Sequence, residues 1–230
     1  NAVTGLNVFG GGIKSLGLRT TINASRISGN TTSGSGGGLA VLFGTAKIVD
    51  SVLSENHAEL DGGGLYSSRY ANVDMKRTTV FRNQAVSGGG LSLHVDYRFL
   101  NPDNSNFVKL EATTISGNGA LGNGGGIELK NSGDAVVISH STITNNVRSS
   151  LGAGHGIFVS EGAVQINQSI VANNSFRGDL AGVIGVVFVT SHSLIGDNTG
   201  SGLTEAPVGA PDRDGNLIGG PVHGVIDPLL

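Results

Sequence analysis

The clearest pattern in this chain is a recurring block of alternating aliphatic and polar positions that ends in an asparagine. The asparagines that end the blocks are Asn30, Asn56, Asn83, Asn118, Asn146, Asn174 and Asn198. The position three residues before each is aliphatic and holds Ile27, Leu53, Val80, Ile115, Ile143, Val171 and Ile195. The columns eight and ten residues before each asparagine are also mainly apolar. They alternate with variable polar columns, which predicts β-strands with one buried face.

Glycine triplets set the interval between the blocks. Gly36–Gly38, Gly62–Gly64 and Gly88–Gly90 begin 26 residues apart, and a leucine follows each. The buried columns ten and eight residues before the asparagine are out of step with those five and three residues before it. A short turn must therefore separate two strands, and a third strand follows the glycines. Three short strands per coil predict an all-β, right-handed parallel β-helix of about seven coils, since the hexapeptide period typical of left-handed helices is missing.

The repeat is interrupted once and then stops. The interval widens between Gly88 and Gly124, which predicts a loop insertion near 95–106. The repeat is not found after Asn198, and residues 199–230 hold four of the five prolines. Because proline cannot donate to a further ladder, we expect a β-helix over residues 1–198 and a C-terminal tail or cap over residues 199–230. The first coil is expected to be the open end, which favours end-to-end association.

The asparagine column has a structural explanation. Asparagine tolerates the left-handed dihedrals of tight turns, and amides stacked about 4.8 Å apart can bond one another. A hydroxyl residue lies five positions before each asparagine, namely Ser25, Ser51, Thr78, Thr113, Ser141, Ser169 and Ser193. We therefore predict that both columns form structural ladders inside a narrow core, which need no cofactor.

Composition excludes several classes of function. Glycine supplies 39 of 230 residues and hydrophobic residues 38%, which suits a thin core. The net charge is −3 without a basic run, so nucleic acid is not an expected partner. The chain has no cysteine and no apolar stretch near the roughly 18 residues that span a membrane. The sequence begins without a methionine or signal peptide, and we interpret it as part of a longer protein.

Two short motifs carry a resemblance that covers nearly the whole chain. Ile-Ser-Gly-Asn occurs at Ile27–Asn30 and Ile115–Asn118, and Gly-Gly-Gly precedes Leu or Ile in several coils. They resemble the repeats of large bacterial secreted and surface β-helix proteins, and are similar to the FxxN and GGA(I/L/V) repeats of chlamydial polymorphic outer membrane proteins. An aliphatic residue here replaces the Phe, and Gly replaces the Ala. The resemblance implies export, an extracellular or cell-surface location in bacteria, and a passenger, stalk or adhesive role.

The candidate catalytic and metal motifs are short. Gly154-His155-Gly156 matches the Gly-His-Gly of polygalacturonases, but it aligns with the glycine triplets, and the paired aspartates and Arg-x-Lys of those enzymes have no match. Asp212-x-Asp214-x-Asn216 is a fragment of a calcium-loop pattern without the later Glu, and a plain Asp/Gly turn is the alternative. The histidines do not cluster in the predicted coils. We therefore predict no catalytic residue and no metal site, with calcium at residues 212–216 left open.

Outward aromatic residues are the remaining candidates for binding. Tyr66 and Phe158 occupy the outward column after the glycines, with Glu128 between them in sequence, and Tyr97 and Arg98 lie in the loop insertion. Such side chains stack on sugar rings or partner proteins. We expect a non-catalytic structural or adhesin-like module of a larger exported protein, with surface glycans or surface proteins as partners. The alternative is a carbohydrate-binding module or a polysaccharide lyase or glycoside hydrolase that uses this face.

Overall fold

The computed structural model describes residues 1–5, 8–68, 70–95, 107–130, 136–149, 153–174 and 178–229. These residues form the predicted all-β parallel β-helix, in which the backbone winds through about seven turns. The described strands stack in four parallel sheets, which run along the axis of the solenoid and surround one core. The predicted loop insertion falls mostly outside the described residues.

The sheets are numbered by their first strand. Sheet 1 contains β1 (Ala2–Val3), β5 (Thr31–Thr32), β9 (His57–Ala58), β13 (Gln84–Ala85), β17 (Gly119–Ala120) and β21 (Val147–Arg148). Sheet 2 contains β2 (Ile13–Ser15), β6 (Leu39–Val41), β10 (Leu65–Ser67), β14 (Leu91–His94), β18 (Ile127–Lys130), β22 (Ile157–Val159) and β25 (Leu180–Gly182). Sheet 3 contains β3 (Arg19–Asn23), β7 (Gly44–Val49), β11 (Ala71–Lys76), β15 (Val108–Glu111), β19 (Val136–Ser139), β23 (Ala163–Asn167) and β26 (Val187–Ser191). Sheet 4 contains β4 (Arg26–Ser28), β8 (Val52–Ser54), β12 (Thr79–Phe81), β16 (Thr114–Ser116), β20 (Thr142–Thr144), β24 (Ile170–Ala172), β27 (Leu194–Ile195) and β28 (Leu217–Ile218).

The predicted aliphatic columns form the core in the predicted register. In sheet 4, Ile27 pairs with Leu53, and the same register continues coil by coil to Ile195. In sheet 3 the column that starts at Ile22 pairs in the same way as far as Thr190. All the members of the sheet 4 column are buried. Side chains of one column therefore stack directly on one another, and each coil closes the core of its neighbour.

The first six coils have four strands each where three were predicted. The additional strands form sheet 1 and are only two residues long. Their inward column holds small side chains such as Ala58, Ala85 and Ala120, so no aliphatic periodicity marks them in the sequence. The prediction of three strands was wrong because two residues are too few to show alternation.

Left-handed residues turn the chain at the corners. Between sheets 3 and 4 the turn residue has a positive φ in every coil, as in Asp50 and Arg77. A second corner precedes the ladder asparagines and is occupied by residues such as Glu55 and Asn145. The positive φ was expected at the ladder asparagine itself, but the structure places it one residue earlier. The ladder asparagine is thereby left to direct its amide into the core.

The asparagine ladder is present and runs through six coils. Each Nδ2 donates to the Oδ1 of the next asparagine at 2.9–3.0 Å, through Asn30, Asn56, Asn83, Asn118, Asn146 and Asn174. Each Oδ1 also accepts the backbone N–H of the preceding member, and the interior amides donate to a carbonyl of the previous coil. The buried corner therefore leaves no ladder amide unsatisfied.

Asn198 does not join the ladder, and the prediction of a seventh member was wrong. The Nδ2 of Asn174 donates to Asp179 Oδ1, while Asn198 donates to the carbonyl of Leu203 at 2.8 Å. Asp179 lies in a short segment between β24 and β25 that the asparagine spacing cannot locate. A carboxylate suits this end of the ladder because the last member accepts hydrogen bonds from Asn174 and has no further ladder residue to which it must donate.

The hydroxyl column forms a second ladder. Ser25, Thr113, Ser141 and Ser169 each donate their backbone N–H to the hydroxyl oxygen one coil further on, at 3.1–3.2 Å. These hydroxyls in turn donate to the carbonyl two residues earlier, as Ser141 does to Ser139. The column continues into the C-terminal segment, where Asn216 Oδ1 accepts the N–H of Ser193 at 3.0 Å.

The C-terminal segment packs on the last coil. β28 pairs in parallel with β27, and Ala206 bridges Ile218 in antiparallel orientation. Both Ala206 and Ile218 are buried in the core, and Ile226 donates its N–H to the carbonyl of Gly196. At the other end, Leu18 in the first coil is 91% exposed. The two ends of the described solenoid therefore differ in how well they are covered.

Candidate functional site

The outer column of sheet 2 holds two of the predicted binding residues. The column runs in register through Lys14, Ala40, Tyr66, Ser92, Glu128, Phe158 and Ala181. Its side chains point away from the core because they alternate with core residues such as Leu65 and Leu91. Tyr66 and Phe158 are separated by the coils of Ser92 and Glu128. The other two candidates, Tyr97 and Arg98, lie outside the described residues.

An aromatic cluster surrounds Tyr66. Its ring centroid lies 5.6 Å from that of Phe9 and 5.1 Å from that of His94, which meets it edge-on. The ammonium of Lys14 lies 5.9 Å from the Phe9 centroid, within the range of a cation–π contact. These neighbours hold the phenol ring in one orientation on the sheet. The cluster therefore offers a fixed apolar surface with polar groups at its edge.

A buried acid lies two coils from Tyr66 in the same column. Glu128 is only 3% exposed, and its Oε2 lies 3.0 Å from Lys130 Nζ and 3.3 Å from Ser92 Oγ. Lys130 also reaches Asp61 Oδ2 at 3.2 Å, across two coils. Burial raises the pKa of the Glu128 carboxyl, and the Lys130 ammonium offsets this only in part. Burial lowers the pKa of Lys130, but the attraction of Glu128 and Asp61 outweighs it and the net shift is upward.

Sequence reasoning named Glu128 but missed its partners. Lys130 follows it by two residues, and period-two alternation places both on the same face of a strand. The pairing of Glu128 with Lys130 could have been predicted. The contact of Lys130 with Asp61 could not, because Asp61 belongs to a different column and is reached only by the long lysine side chain. The pairing of His94 with Tyr66 likewise depends on how the strands stack.

A second group of acids surrounds the end of the asparagine ladder. Asp179 Oδ1 accepts both the backbone N–H and the Nδ2 of Asn174 at 2.9 Å, and its Oδ2 accepts the N–H of Asp197 at 2.7 Å. Asp197 in turn accepts from Gly178 and Thr199. Burial raises the pKa of Asp179 to about 6, against an ordinary value of 3.8. Every one of these four carboxylate oxygens holds a backbone N–H, so the pair ties three segments together.

His155 lies near this pair and is 4% exposed. Burial, and the positive charge of Arg148, lower its pKa to about 4, although Asp197 acts in the opposite direction. The ring is therefore neutral at pH 7. As predicted, His155 occupies the middle position of a glycine turn, since Ile157 after it pairs with Ile127 and Leu180.

The Asp212 turn uses its oxygens internally. Asp212 Oδ1 accepts the N–H groups of Asp214 and Asn216, and Asn216 Nδ2 lies 2.9 Å from Asp212 Oδ2. The hydrogen bond from Asn216 is the largest of the effects that lower the pKa of Asp212. This is the Asp/Gly turn that the sequence offered as the alternative to calcium. Within the described residues, no group of three or more His, Asp or Glu is arranged to hold a metal ion.

The described part of the chain contains no helix long and apolar enough to cross a lipid bilayer. Comparison with known protein families gives one finding: a family model described as a right handed beta helix region matches residues 23–199. The match extends from the end of β3 through β27, so it leaves out only part of the first coil and β28, and it agrees with the predicted hand of the solenoid. No curated protein and no solved structure shows significant similarity to the chain.

Proposed function

The chain belongs to the family of right-handed β-helix regions, and we propose that it is a non-catalytic, adhesin-like structural module of a larger exported bacterial protein. In this proposal it lies outside the cell or on its surface and binds surface glycans or glycosylated surface proteins. The observation that carries the proposal is the outer column of sheet 2, where the Tyr66 ring cluster lies on a stack of strands two coils from the Glu128–Lys130 pair.

Sugar binding suits this combination of groups. A pyranose presents an apolar ring face, which packs on aromatic side chains, and a rim of hydroxyls, which needs donors and acceptors in fixed positions. Tyr66 offers the ring, and Lys130, whose side chain is 28% exposed, offers a donor on the same face. Glu128 is buried and holds the Lys130 ammonium in position. Because the sheets and ladders hold these residues, little ordering entropy would be lost on binding. Phe158 lies one coil beyond Glu128 in the same column but is only 8% exposed, so Tyr66 carries the aromatic contact in this proposal.

The test is a panel of surface glycans, with Tyr66→Ala as the variant. We expect at least one glycan to bind the wild type and to bind Tyr66→Ala at least about tenfold more weakly. Tyr70→Ala is the matched control, since Tyr70 is an exposed tyrosine that stacks on Phe43 away from this column. Equal losses in the two variants, or no binding by the wild type to any glycan or glycoprotein, would contradict the proposal.

A polysaccharide-active enzyme is the second candidate. The observation that favours it is the proximity of His155 to Asp197, whose negative charge acts on the histidine. The carboxylate oxygens of Asp179 and Asp197 are, however, occupied by backbone N–H groups, which weighs against a catalytic role for either. Incubation with pectin, alginate and glycosaminoglycans separates the two functions. Product release by the wild type and its loss in His155→Ala would establish the enzyme.

A further inference from the structure

The outer face of sheet 1 forms a groove of about 520 Å³ that extends across four coils. Its floor is the sheet itself, and its two sides are the residues on either side of the inward alanine column. One side carries His57, Gln84, Gly119 and Val147, and the other carries Glu59, Val86, Leu121 and Ser149. None of these residues belongs to the Tyr66 or Glu128 clusters, so the groove is a separate surface.

Apolar side chains dominate the middle of the groove. Leu121 is 63% exposed, Val147 48% and Val86 40%, and they lie in three consecutive coils. Single exposed aliphatic residues are ordinary on a protein surface, whereas a contiguous group marks a surface that packs on a partner. No phenyl, phenol or indole ring is among the described residues that line the groove, so its chemistry differs from that of a sugar site.

Gly119 leaves a notch in one side of the groove. A Cβ placed on Gly119 would lie 3.8 Å from both Gln84 Cγ and Val147 Cγ2, an ordinary contact distance. The backbone there does not require glycine, since the φ of Gly119 is not in the left-handed region. The notch is therefore free space between two side chains of adjacent coils, of a size that accepts a side chain from another molecule.

The charges lie at opposite ends of the groove. Glu59 lies on one side of the groove in the first of the four coils. Arg148 lies in the last coil, in register with Ala120 in the middle of the groove, and its Nη1 donates to the carbonyl of Ser149 at 2.9 Å. A two-fold axis parallel to the strands reverses the order of coils between two facing copies. Glu59 of one copy then faces Ser149 of the other, one residue from Arg148, while Val86 faces Leu121 and Gln84 faces the Gly119 notch. The alternative axis, along the solenoid, would place the two Arg148 side chains together.

We propose that this groove is the interface of an antiparallel homodimer, so that its occupant is a second copy of this chain. A two-fold interface uses the same patch on both subunits, so each residue and the residue it contacts must both lie in that patch. The pairs named above meet this requirement. The apolar centre drives association by burial, and the charges at the ends select the antiparallel orientation.

The test measures the dimer dissociation constant of the full chain by analytical ultracentrifugation. We expect the wild type to be dimeric, and Leu121→Arg to raise the dissociation constant at least about tenfold. Val189→Arg is the matched control, because Val189 is 49% exposed on sheet 3 and lies outside the groove. Circular dichroism of each variant verifies that the fold is retained.

A charge exchange tests the orientation independently. Glu59→Arg and Arg148→Glu should each weaken the dimer, and the double variant should recover most of the lost affinity because both ion pairs are restored with reversed sign. A monomeric wild type would overturn the proposal. So would a dimer that Leu121→Arg leaves intact, since association would then use another surface such as a coil end. Additive losses in the double variant would overturn the antiparallel arrangement.

Discussion

Asn174 and Asp179 are joined by two hydrogen bonds, from the backbone N–H and the Nδ2 of Asn174 to the same carboxylate oxygen, each 2.9 Å long. The other five ladder contacts join two asparagines, so the ladder changes chemistry at its last step. An asparagine interior to the ladder must both accept and donate. Asp179 accepts at both oxygens, because Oδ2 receives the N–H of Asp197.

The first prediction concerns the pH dependence of Asp179→Asn. The pKa of Asp179 is raised by burial to about 6 from 3.8, so the folded protein binds more protons than the unfolded chain between these values. Its contribution to stability is therefore fully present below about pH 4 and is lost as the pH rises through about 6. The asparagine of the variant cannot ionise. Its NH₂ would face the N–H of Asp197, and the hydrogen bond that Asp179 Oδ2 accepts there would be lost. We expect the variant to be less stable than the wild type at pH 4, and the difference to shrink by up to about 3 kcal/mol by pH 7.

Urea unfolding of both proteins from pH 4 to pH 7 measures this difference. A constant difference at every pH would contradict the raised pKa.

The second prediction concerns the interior of the asparagine ladder. Asn83 is fully buried, accepts the N–H and Nδ2 of Asn56, and donates to the carbonyl of Leu53. Asn83→Ala leaves these groups unpaired, and we expect a loss of roughly 1–3 kcal/mol. Thr79→Ala, on the outer face of β12, should stay within about 0.5 kcal/mol. Denaturant unfolding measures both, and equal effects would show that the column does not stabilise the fold.

The third prediction concerns the middle glycine of a triplet. A Cβ on Gly63 would collide with the carbonyl oxygens of Gly89 and Gln84, so the next coil could not approach. We expect Gly63→Ala to cost more than about 2 kcal/mol. Gly17 is the control, because a Cβ there meets nothing within 4 Å and its φ is not left-handed. Thermal unfolding compares the two variants. Similar melting temperatures would mean that neighbouring coils can move apart to accept the Cβ without a loss of stability, which would contradict the prediction.

The fourth prediction concerns the two ends of the solenoid. Leu217 and Gly219 donate their N–H groups to Ser193 and Ile195, and Ile218 beside them is buried. The strands of the first coil pair on one side only. We therefore expect slow hydrogen exchange at Leu217 and Gly219 and fast exchange at the unpaired amides of β3. Fast exchange throughout residues 199–229 with a protected first coil would reverse this assignment.

The exposed charges follow the strand register in part. The cross-coil pairs Asp50–Arg77 and Lys76–Glu111 are present, because parallel strands bring these residues to the same level of neighbouring coils. Lys109, which shares a column with Asp74, instead lies 3.1 Å from Glu111 Oε2, and the hydrogen bonds of Lys76 and Lys109 lower the pKa of Glu111 to about 2. The register was predictable, but the rotamer that a lysine adopts was not.

The sequence by itself determined the repeat, the buried columns and their register, since a strand with one buried face needs alternating side chains and a stack of coils needs the same residue type at each level. The column of Ile27 and the ladder from Asn30 to Asn174 follow from that requirement. Only the tertiary structure decided the contacts between columns: the reach of Lys130 to Asp61, the ring contacts of Tyr66 and the end of the ladder at Asp179. These contacts depend on side-chain length, on corner geometry and on segments outside the repeat. Spacing along the chain specifies none of these three, because it relates only residues of the same column.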